Sequence, residues 1–359
     1  MTPSQWHWQE PGTAWRGCGI YHITLAQSDR SIPLLGQLTE CADPADAEVE
    51  RTELGNAIVH CVAQIPQHHP EIKLLQYTLM PDHIHFIVHV TRQMQMGIMT
   101  AVRGFWQGSK AAYRLWRSSG QHIVSFTPDT IWQNERKNPL PDNLFHKMPY
   151  VVPLAGKGQL ERMIRYVQDN PRRAMLKRLN RDLFMMRREI CIERDGVKLI
   201  FSAMGNMFLL DWPLKQQVEC SRTIRAEELT ARRLQVLRNA ELGYVTITAA
   251  INDAERSIAK AVREAGYPLV ILLKDGFPVL NTEQEKYYKP GGIYFDTCAA
   301  GKLLLLEPVE TTFVNPVVYH LTQGDLRRKA DVRHWTYSPL PTTCNRYRFV
   351  ALNNIGRLL

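Results

Sequence analysis

The sequence lacks the long apolar runs, paired cysteines and repeats that mark membrane, disulfide-rich and fibrous proteins. No run approaches the roughly 18–20 apolar residues that span a bilayer, and the opening segment has neither the basic nor the apolar stretch of a secretory signal. Seven scattered cysteines without a CxxC pair disfavour a disulfide scaffold or a zinc ribbon and fit reduced thiols. We therefore expect a soluble, cytoplasmic protein with no membrane partner.

The composition is that of a globular protein, with 45% hydrophobic and 22% charged residues in 359. This length favours two domains. The net charge is +9, and residues 97–190 alone hold 17 Lys and Arg against 7 Asp and Glu. The whole excess of positive charge lies in that stretch, which favours a polyanionic partner over scattered solvated helix faces.

Hydrophobic periodicity predicts the order β-α-β-β-α-β-α in the first half of the chain. This order is typical of a split βαβ, ferredoxin-like antiparallel sheet with one appended helix. The segments that carry it are strand 19–26, helix 49–64, strands in EIKLLQYTLM and HIHFIVHV, helix 97–116, a strand at 150–154 and a helix from 158.

After about residue 190 the pattern changes. LIFSAMGNMFLL predicts a hairpin that turns at Gly205-Asn206, and apolar runs then alternate with helical patterns. Such alternation favours a parallel, Rossmann-like α/β sheet. We therefore predict an α+β domain over 1–190 and an α/β domain with an irregular C-terminal segment over 191–359.

Two histidines, His83 and His85, follow the turn at Pro81-Asp82. Residues i and i+2 of a strand point to the same face, so their imidazoles lie side by side. Two neutral imidazoles are good ligands for a divalent cation. The alternative is a pair of hydrogen-bonded polar residues on a sheet face.

Tyr166 and Asn170 lie four residues apart in RMIRYVQDNP, a spacing that places them on one helical face. Tyr166 could also extend the apolar stripe of that helix. Basic residues flank this region, and we interpret them as phosphate contacts. They are Arg103, Lys110, Arg114 and Arg117 before it, and Arg172, Arg173, Lys177 and Arg178 after it.

In combination, MPDHIHFIVHV and, about eighty residues later, QLERMIRYVQDNPRR resemble the single-tyrosine HUH transposases over about residues 15–190. The most similar branch is that of the REP-associated tyrosine transposases and their insertion-sequence relatives. The resemblance implies cleavage and rejoining of single-stranded DNA through a covalent 5′-phosphotyrosine on Tyr166. It also implies that His83, His85 and Asn170 hold Mg²⁺ or Mn²⁺. The insertion-sequence enzymes carry Gln where this chain has Asn170, and the REP-associated branch is similar to it in having Asn.

Elementary chemistry is consistent with that assignment. A phenol with a pKa near 10 is a poor nucleophile at neutral pH. A nearby dication stabilises the phenolate and the charge that develops on the phosphoryl oxygens. A tyrosine ester retains the phosphodiester energy, so a free 3′-hydroxyl can reverse the reaction.

The C-terminal half resembles, through INDAERSIAKAVREAGYPLVILLKDGFP, the Rossmann-like domain of DNA-processing protein A. It has neither a GxGxxG nor a Walker A motif, so the sequence does not predict a nucleotide cofactor. Residues 274–278 end a predicted strand, where ligands bind in open α/β sheets. A tight turn that requires Gly276 is the interpretation we favour there.

Two other functions compete with DNA cleavage. One is a domesticated, cleavage-inactive protein that binds DNA hairpins, for which His83, His85 and Tyr166 would not be needed. The other is an RNA-binding ferredoxin-like domain, which would expose aromatic residues on its central strands. HIHFIVHV offers only Phe86, on the face opposite the histidines. We expect a transposase-like enzyme, monomeric or homodimeric, whose partner is single-stranded DNA with hairpin structure.

Overall fold

The computed structural model describes residues 18–119, 140–273, 276–277, 292–309 and 346–359, the last without the side chains of 346–350. The chain divides into two compact units, Met1–Leu176 and Lys177–Leu359. It is a mixed α/β protein with one antiparallel sheet, one mixed sheet and helices. In the described ranges, no helix combines the length and the apolarity needed to cross a bilayer.

The first unit contains a four-stranded sheet, a two-stranded ribbon and their helices. In chain order they are β1 Gly19–Ala26, β2 Gly36–Leu38, β3 Val49–Arg51, α1 Glu53–Ala63, α2 Ile65–His68, β4 Ile72–Met80, β5 His83–Val90, α3 Ile98–Ser118, β6 Tyr150–Pro153, α4 Gln159–Gln168 and α5 Asn170–Leu179. Helix α5 runs across the division between the units.

The large sheet of the first unit has the order β4-β5-β1-β6, and every neighbouring pair is antiparallel. Its two faces differ in what covers them. Ile84 and Phe86 of β5 lie in a core shared with α1 and α3, where Phe86 contacts Phe105. Ile87 of β5 packs on the opposite face with apolar residues of α4. Because side chains alternate along β5, one face of the sheet, the closed face, packs in the core with α1 and α3. The opposite face carries histidines.

The helix predicted for 49–64 is wrong in its first turn. Residues Val49–Arg51 pair with β2, and α1 begins only after Thr52. The Thr52 hydroxyl accepts a hydrogen bond from the Gly55 amide at 2.9 Å and donates one to the Leu34 carbonyl at 2.8 Å. This cap fixes the start of the helix and ties it to the preceding segment.

The second unit is built on a six-stranded sheet with the order β7-β8-β12-β11-β10-β9. Its elements are β7 Arg187–Arg194, β8 Val197–Gly205, β9 Lys215–Val218, α6 Ala226–Glu241, β10 Val245–Thr248, α7 Asp253–Glu264, β11 Leu269–Leu272, α8 Gly292–Ala299, β12 Leu303–Pro308 and α9 Arg346–Leu358. Strands β9 to β12 are parallel, whereas β7 and β8 form an antiparallel margin. The sheet is therefore mixed rather than wholly parallel.

The hairpin predicted at Gly205-Asn206 is also wrong. The chain turns at Asp195-Gly196, where φ is +50° and +75° and Arg194 pairs with Val197. Positive φ at both central residues suits a two-residue Asp-Gly turn. After Gly205, residues Met207–Leu210 form a 3₁₀ turn instead of a strand.

Candidate functional site

His83 and His85 lie on the face of β5 opposite the core shared with α1 and α3, as the alternation predicts. The register of the sheet places Thr24 of β1 directly across from His85, and Thr78 of β4 on its other side. Residues opposite each other on neighbouring strands share a face. The face around His85 is therefore polar at its centre, whereas the reverse face of the same strands is apolar.

A carboxylate orients the first histidine. Asp82 Oδ1 lies 2.5 Å from His83 Nδ1, and the other oxygen of Asp82 accepts a hydrogen bond from Arg30 Nε at 2.6 Å. Burial would raise the pKa of the Asp82 carboxyl, but the hydrogen bond and charge of His83, together with Arg30, outweigh it and hold that pKa well below its usual range. An ionised carboxylate only accepts, so the His83 proton lies on Nδ1 and Nε2 is left with its lone pair when the ring is neutral.

His85 contacts His83 through the same ring nitrogen, Nε2, of each residue. Nε2 of His83 and Nε2 of His85 are 3.1 Å apart, and the ring centroids are 4.7 Å apart at an interplanar angle of 87°. On the other side of the His85 ring, Nδ1 lies 2.8 Å from the Thr24 hydroxyl and 3.1 Å from Nε2 of His22.

His22 completes a row of three imidazoles, and the sequence reasoning missed it. Its ring stacks on that of His85 with centroids 5.1 Å apart, and it is only 4% exposed. Burial lowers the pKa of His22 to about 4, so the ring is neutral at neutral pH. The available signal was the alternation of β1, which turns His22 and Thr24 away from the core residues Tyr21 and Ile23.

Tyr166 lies over the same face of the sheet. Helix α4 packs its apolar side against Ile87, and the Tyr166 ring is 5.7 Å from the His85 ring and 6.4 Å from the His22 ring, centroid to centroid. The Arg173 guanidinium lies 5.4 Å from the centre of the tyrosine ring. Burial raises the pKa of the phenol, and the Arg173 charge partly opposes that rise. Tyr166 therefore both extends the apolar stripe and contacts the histidines.

Asn170 follows the break between α4 and α5 and is buried. Its side-chain amide donates to the Tyr166 carbonyl at 2.8 Å. This bond ties the end of the tyrosine helix to the start of the next one. Only Oδ1 of this amide could meet a cation, because the amide nitrogen is a donor and has no free lone pair.

The two basic groups lie in different places. Helix α3 packs on the closed face of the sheet, so its basic side chains are not brought together with the histidines. On α3, Lys110 lies over the Trp106 ring and Arg117 over the Tyr113 ring; Arg103 and Arg114 are exposed. On α5, Arg172 forms an ion pair with Asp169 at 2.5 Å, Arg173 contacts Tyr166, Lys177 lies over the Phe295 ring and Arg178 is exposed.

The donor chemistry suits a divalent cation between the two histidines. The two Nε2 atoms are 3.1 Å apart, close enough for both to be ligands of one ion. Nδ1 of His83 already donates to a carboxylate, the usual orientation of a ligating histidine. In the described part of the chain, no group of three or more His, Cys, Asp or Glu is placed to hold a metal ion. Further ligands would have to be amide, water or phosphate oxygens.

The second unit holds a buried carboxylate, Glu255, near the start of α7. It is 1% exposed and accepts hydrogen bonds from the amides of Cys220 and Ile251 at 3.1 and 2.8 Å, and from the Asn252 side chain at 3.1 Å. Burial raises the pKa of Glu255. These bonds give it a structural role in joining the ends of β9 and β10. Lys274 and Asp275 lie outside the described residues; Gly276 has φ of +71°, as a turn requires.

Comparisons with known proteins give short or weak matches. No protein-family model matches the chain. An uncharacterised protein of Haemophilus influenzae is 25% identical over 81 residues, which is 23% of this chain and 41% of that protein, so the chain matches less than half of its relative's length. A REP-associated tyrosine transposase bound to a REP hairpin is similar at 12% identity and a TM-score of 0.29, over 45% of this chain and 72% of that one. A Deinococcus radiodurans protein provisionally identified as a transposase is similar at 16% identity and a TM-score of 0.26, over 45% and 97%. At these TM-scores the two structural likenesses carry no argument.

Proposed function

We propose that this chain is a metal-dependent enzyme that nicks and rejoins single-stranded DNA through a covalent bond to Tyr166, with transposase-like chemistry. The observation that carries the proposal is the contact of the Tyr166 ring with the His85 ring on one face of the sheet, 5.7 Å between centroids. The sequence motifs alone leave that contact undetermined, because the two residues are far apart along the chain.

The reaction needs few groups from the protein. The Tyr166 phenolate oxygen attacks a backbone phosphorus, a phosphorus–oxygen bond to tyrosine forms, and the bond to the 3′-oxygen breaks. The 3′-oxygen leaves as a hydroxyl after taking up a proton, and the phenol proton passes to solvent. The reverse attack of a 3′-hydroxyl reseals the strand without an added energy source.

We propose that Mg²⁺ or Mn²⁺ is held by His83, His85 and the Asn170 side-chain oxygen. When bound, such an ion withdraws charge from the phosphate oxygens and from the leaving 3′-oxygen. The protein groups have separate tasks. Asp82 keeps Nε2 of His83 basic, and Arg173 supplies positive charge beside the phenol.

We also propose an arrangement for each of the two units and a DNA partner for the chain. We infer a ferredoxin-like arrangement for the first unit, since the connection from β1 through α1 to β4 passes over β5, and a Rossmann-like arrangement for strands β9 to β12. We expect the partner to be single-stranded DNA with hairpin structure, and the basic side chains of α3 and α5 to contact its phosphates.

The test is a denaturing gel of the full chain incubated with end-labelled, hairpin-containing single strands and Mn²⁺. We expect a covalent adduct in the parent, none in Tyr166→Phe, and strong loss in His83→Ala, in His85→Ala and with excess EDTA. Tyr150→Phe is the matched control, because Tyr150 is 66% exposed at the edge of the same sheet. DNA binding without an adduct would instead support the cleavage-inactive hairpin-binding alternative, and an adduct in Tyr166→Phe would contradict the proposed nucleophile.

A further inference from the structure

A crevice of about 260 Å³ lies between α3 and the pair α1 and α2, in the helices that cover the closed face of the antiparallel sheet. Its inner wall is apolar and includes Ile65 and Phe105, whereas Gln64, His68 and His69 lie at its mouth. Sites for drug-sized ligands hold about 300–1,000 Å³, so this crevice suits a single ring system. The proposed cleavage chemistry uses none of these residues.

Two glycines of α3, Gly104 and Gly108, form one side of this crevice and lie about one helical turn apart. An added Cβ at Gly104 has no described neighbour within 4 Å, and one at Gly108 meets Cys61 Sγ at an ordinary 3.7 Å. Packing therefore does not require glycine at either position, although glycine within a helix costs stability relative to alanine. The two glycines keep the crevice open and its side flat.

The charge around the crevice favours an anionic ligand. Helices α1, α2 and α3 contain a single carboxylate, Glu53, at the first position of α1, whereas α3 alone has four Arg and Lys. Arg103 immediately precedes Gly104 and is exposed. Consecutive helical residues are about 100° apart, which on a helix 10–12 Å in diameter is about 9–10 Å around the surface. A nucleotide whose base enters the crevice therefore directs its phosphate towards Arg103.

The polar groups at the mouth are of the kind that bind the edge of a base. Gln64 Nε2 lies 2.9 Å from His60 Nε2, and the amide of Gln64 and the imidazoles of His68 and His69 supply both donors and acceptors. An unpaired base has two apolar faces and an edge of donors and acceptors. The apolar inner wall, the flat glycine side and the polar mouth match these three features.

We propose that this crevice binds one unpaired base of the DNA strand, while the basic side chains of α3 bind the neighbouring phosphates. The inference rests on the proposed DNA partner, but not on the cleavage step. A base held here anchors the strand at a distance from Tyr166, on the other side of the sheet. It also lets the protein distinguish nucleic acid from a polyanion that has no bases.

Fluorescence anisotropy with the full chain tests the inference on probes that differ only in their bases. The probes are oligo(dA), oligo(dC) and oligo(dT) of about 20 nucleotides and an abasic strand with the same number of phosphates. Gly104→Leu adds a side chain at the crevice and leaves every basic residue in place. We expect it to weaken binding of at least one homopolymer about 10-fold, since contacts to one base contribute about 5- to 150-fold in affinity. Binding of the abasic strand should stay at the parent value.

Ala111→Leu is the matched control, because Ala111 is exposed on the same helix, about two turns beyond Gly104, and does not line the crevice. It should bind all four probes as the parent does. Equal weakening of homopolymer and abasic binding in Gly104→Leu would overturn the proposal, because the added side chain would then obstruct the backbone of the strand. Unchanged binding of all three homopolymers would overturn it as well. Urea denaturation checks that Gly104→Leu is folded, with a midpoint expected at or above that of the parent.

Two other results have separate meanings. If sedimentation shows that Gly104→Leu converts a dimer to a monomer while DNA binding is unchanged, the crevice belongs to a contact with a second copy of the chain, and the proposal is overturned. Failure of the proposed function appears elsewhere, as a parent protein that binds the strands but forms no covalent adduct.

Discussion

Asp82 is the only protein group described on Nδ1 of His83, and it decides which nitrogen of that ring stays basic. Its other oxygen is held by Arg30. The carboxylate thus acts on the candidate cation through the histidine, as second ligand shells commonly do.

We expect Asp82→Asn to weaken Mn²⁺ binding by about 10- to 100-fold, because a neutral amide stabilises the ligating form of His83 less than a carboxylate does. Arg30→Ala is the matched comparison, since it leaves the bond between Asp82 and His83 in place. In a titration followed by electron paramagnetic resonance of free Mn²⁺, its effect should be the smaller one. Equal effects of the two substitutions would show that the carboxylate acts on the fold of the turn rather than on His83.

Single residues also show what sequence reasoning could and could not supply. The alternation of β5 placed His83 and His85 on one face, and the structure confirms this. The same rule applied to β1 would have found His22, but its contact with His85 depends on the strand register, which no local pattern contains. Tyr113, another tyrosine within the basic stretch, is fully buried and donates to the Pro141 carbonyl, so it is not placed to attack DNA.

At the scale of elements, two glycines within helices differ in whether the surrounding structure has room for a side chain. Gly55 lies in the first turn of α1, where an added Cβ would meet the Leu35 carbonyl oxygen at 2.0 Å. Gly104 lies within α3, and an added Cβ there has no described neighbour within 4 Å. Helix propensity favours alanine at both positions, but only one of them has room for it.

We therefore expect Gly55→Ala to lower the free energy of unfolding by about 1–3 kcal/mol, because α1 must move away from the segment that its Thr52 cap holds. Gly104→Ala should raise it by about 0.5–1 kcal/mol through its lower backbone entropy in the unfolded chain. Urea denaturation followed by circular dichroism measures both. Equal and stabilising changes would mean that α1 has more freedom at its start than the structure shows.

Element boundaries are predictable where the chain carries a strong local signal. Strand β1 agrees with its prediction. The Asp195-Gly196 pair is a local hairpin signal and forms the turn between β7 and β8, whereas the apolar run around Gly205 continues into a 3₁₀ turn. Residues 49–51 continue the helical pattern of α1 in sequence but pair with β2, because a tertiary partner outweighs local propensity.

At the scale of the whole molecule, the basic residues form two groups, one on the opposite side of the antiparallel sheet from Tyr166 and one that contacts it. The basic side chains of α3 lie on a helix over the closed face of the antiparallel sheet, whereas Arg173 of α5 contacts Tyr166. A single DNA strand that contacted both the basic residues of α3 and Arg173 would have to pass around the edge of the antiparallel sheet. We therefore expect the basic residues of α3 to increase the affinity for DNA by contacting phosphates far from the bond that is cleaved.

Replacing Arg103, Lys110, Arg114 and Arg117 together with Gln should weaken binding to single strands and make its salt dependence shallower. Each lost phosphate contact lowers the log–log slope by about 0.7, so four contacts correspond to a change of about 3. Fluorescence anisotropy over a range of salt concentrations measures this slope. An unchanged slope would mean that α3 does not contact the DNA.

The central claim is that Tyr166 bonds to a DNA phosphate, and mass spectrometry of the covalent product tests it most directly. The full chain is incubated with hairpin-containing single strands and Mn²⁺, and the adduct is then digested with nuclease and trypsin. The account predicts a nucleotide 5′-phosphate attached to the peptide spanning residues 166–172, and no such product in EDTA. A nucleotide attached to any other tyrosine, or a cleaved strand without a protein-linked phosphate, would contradict it.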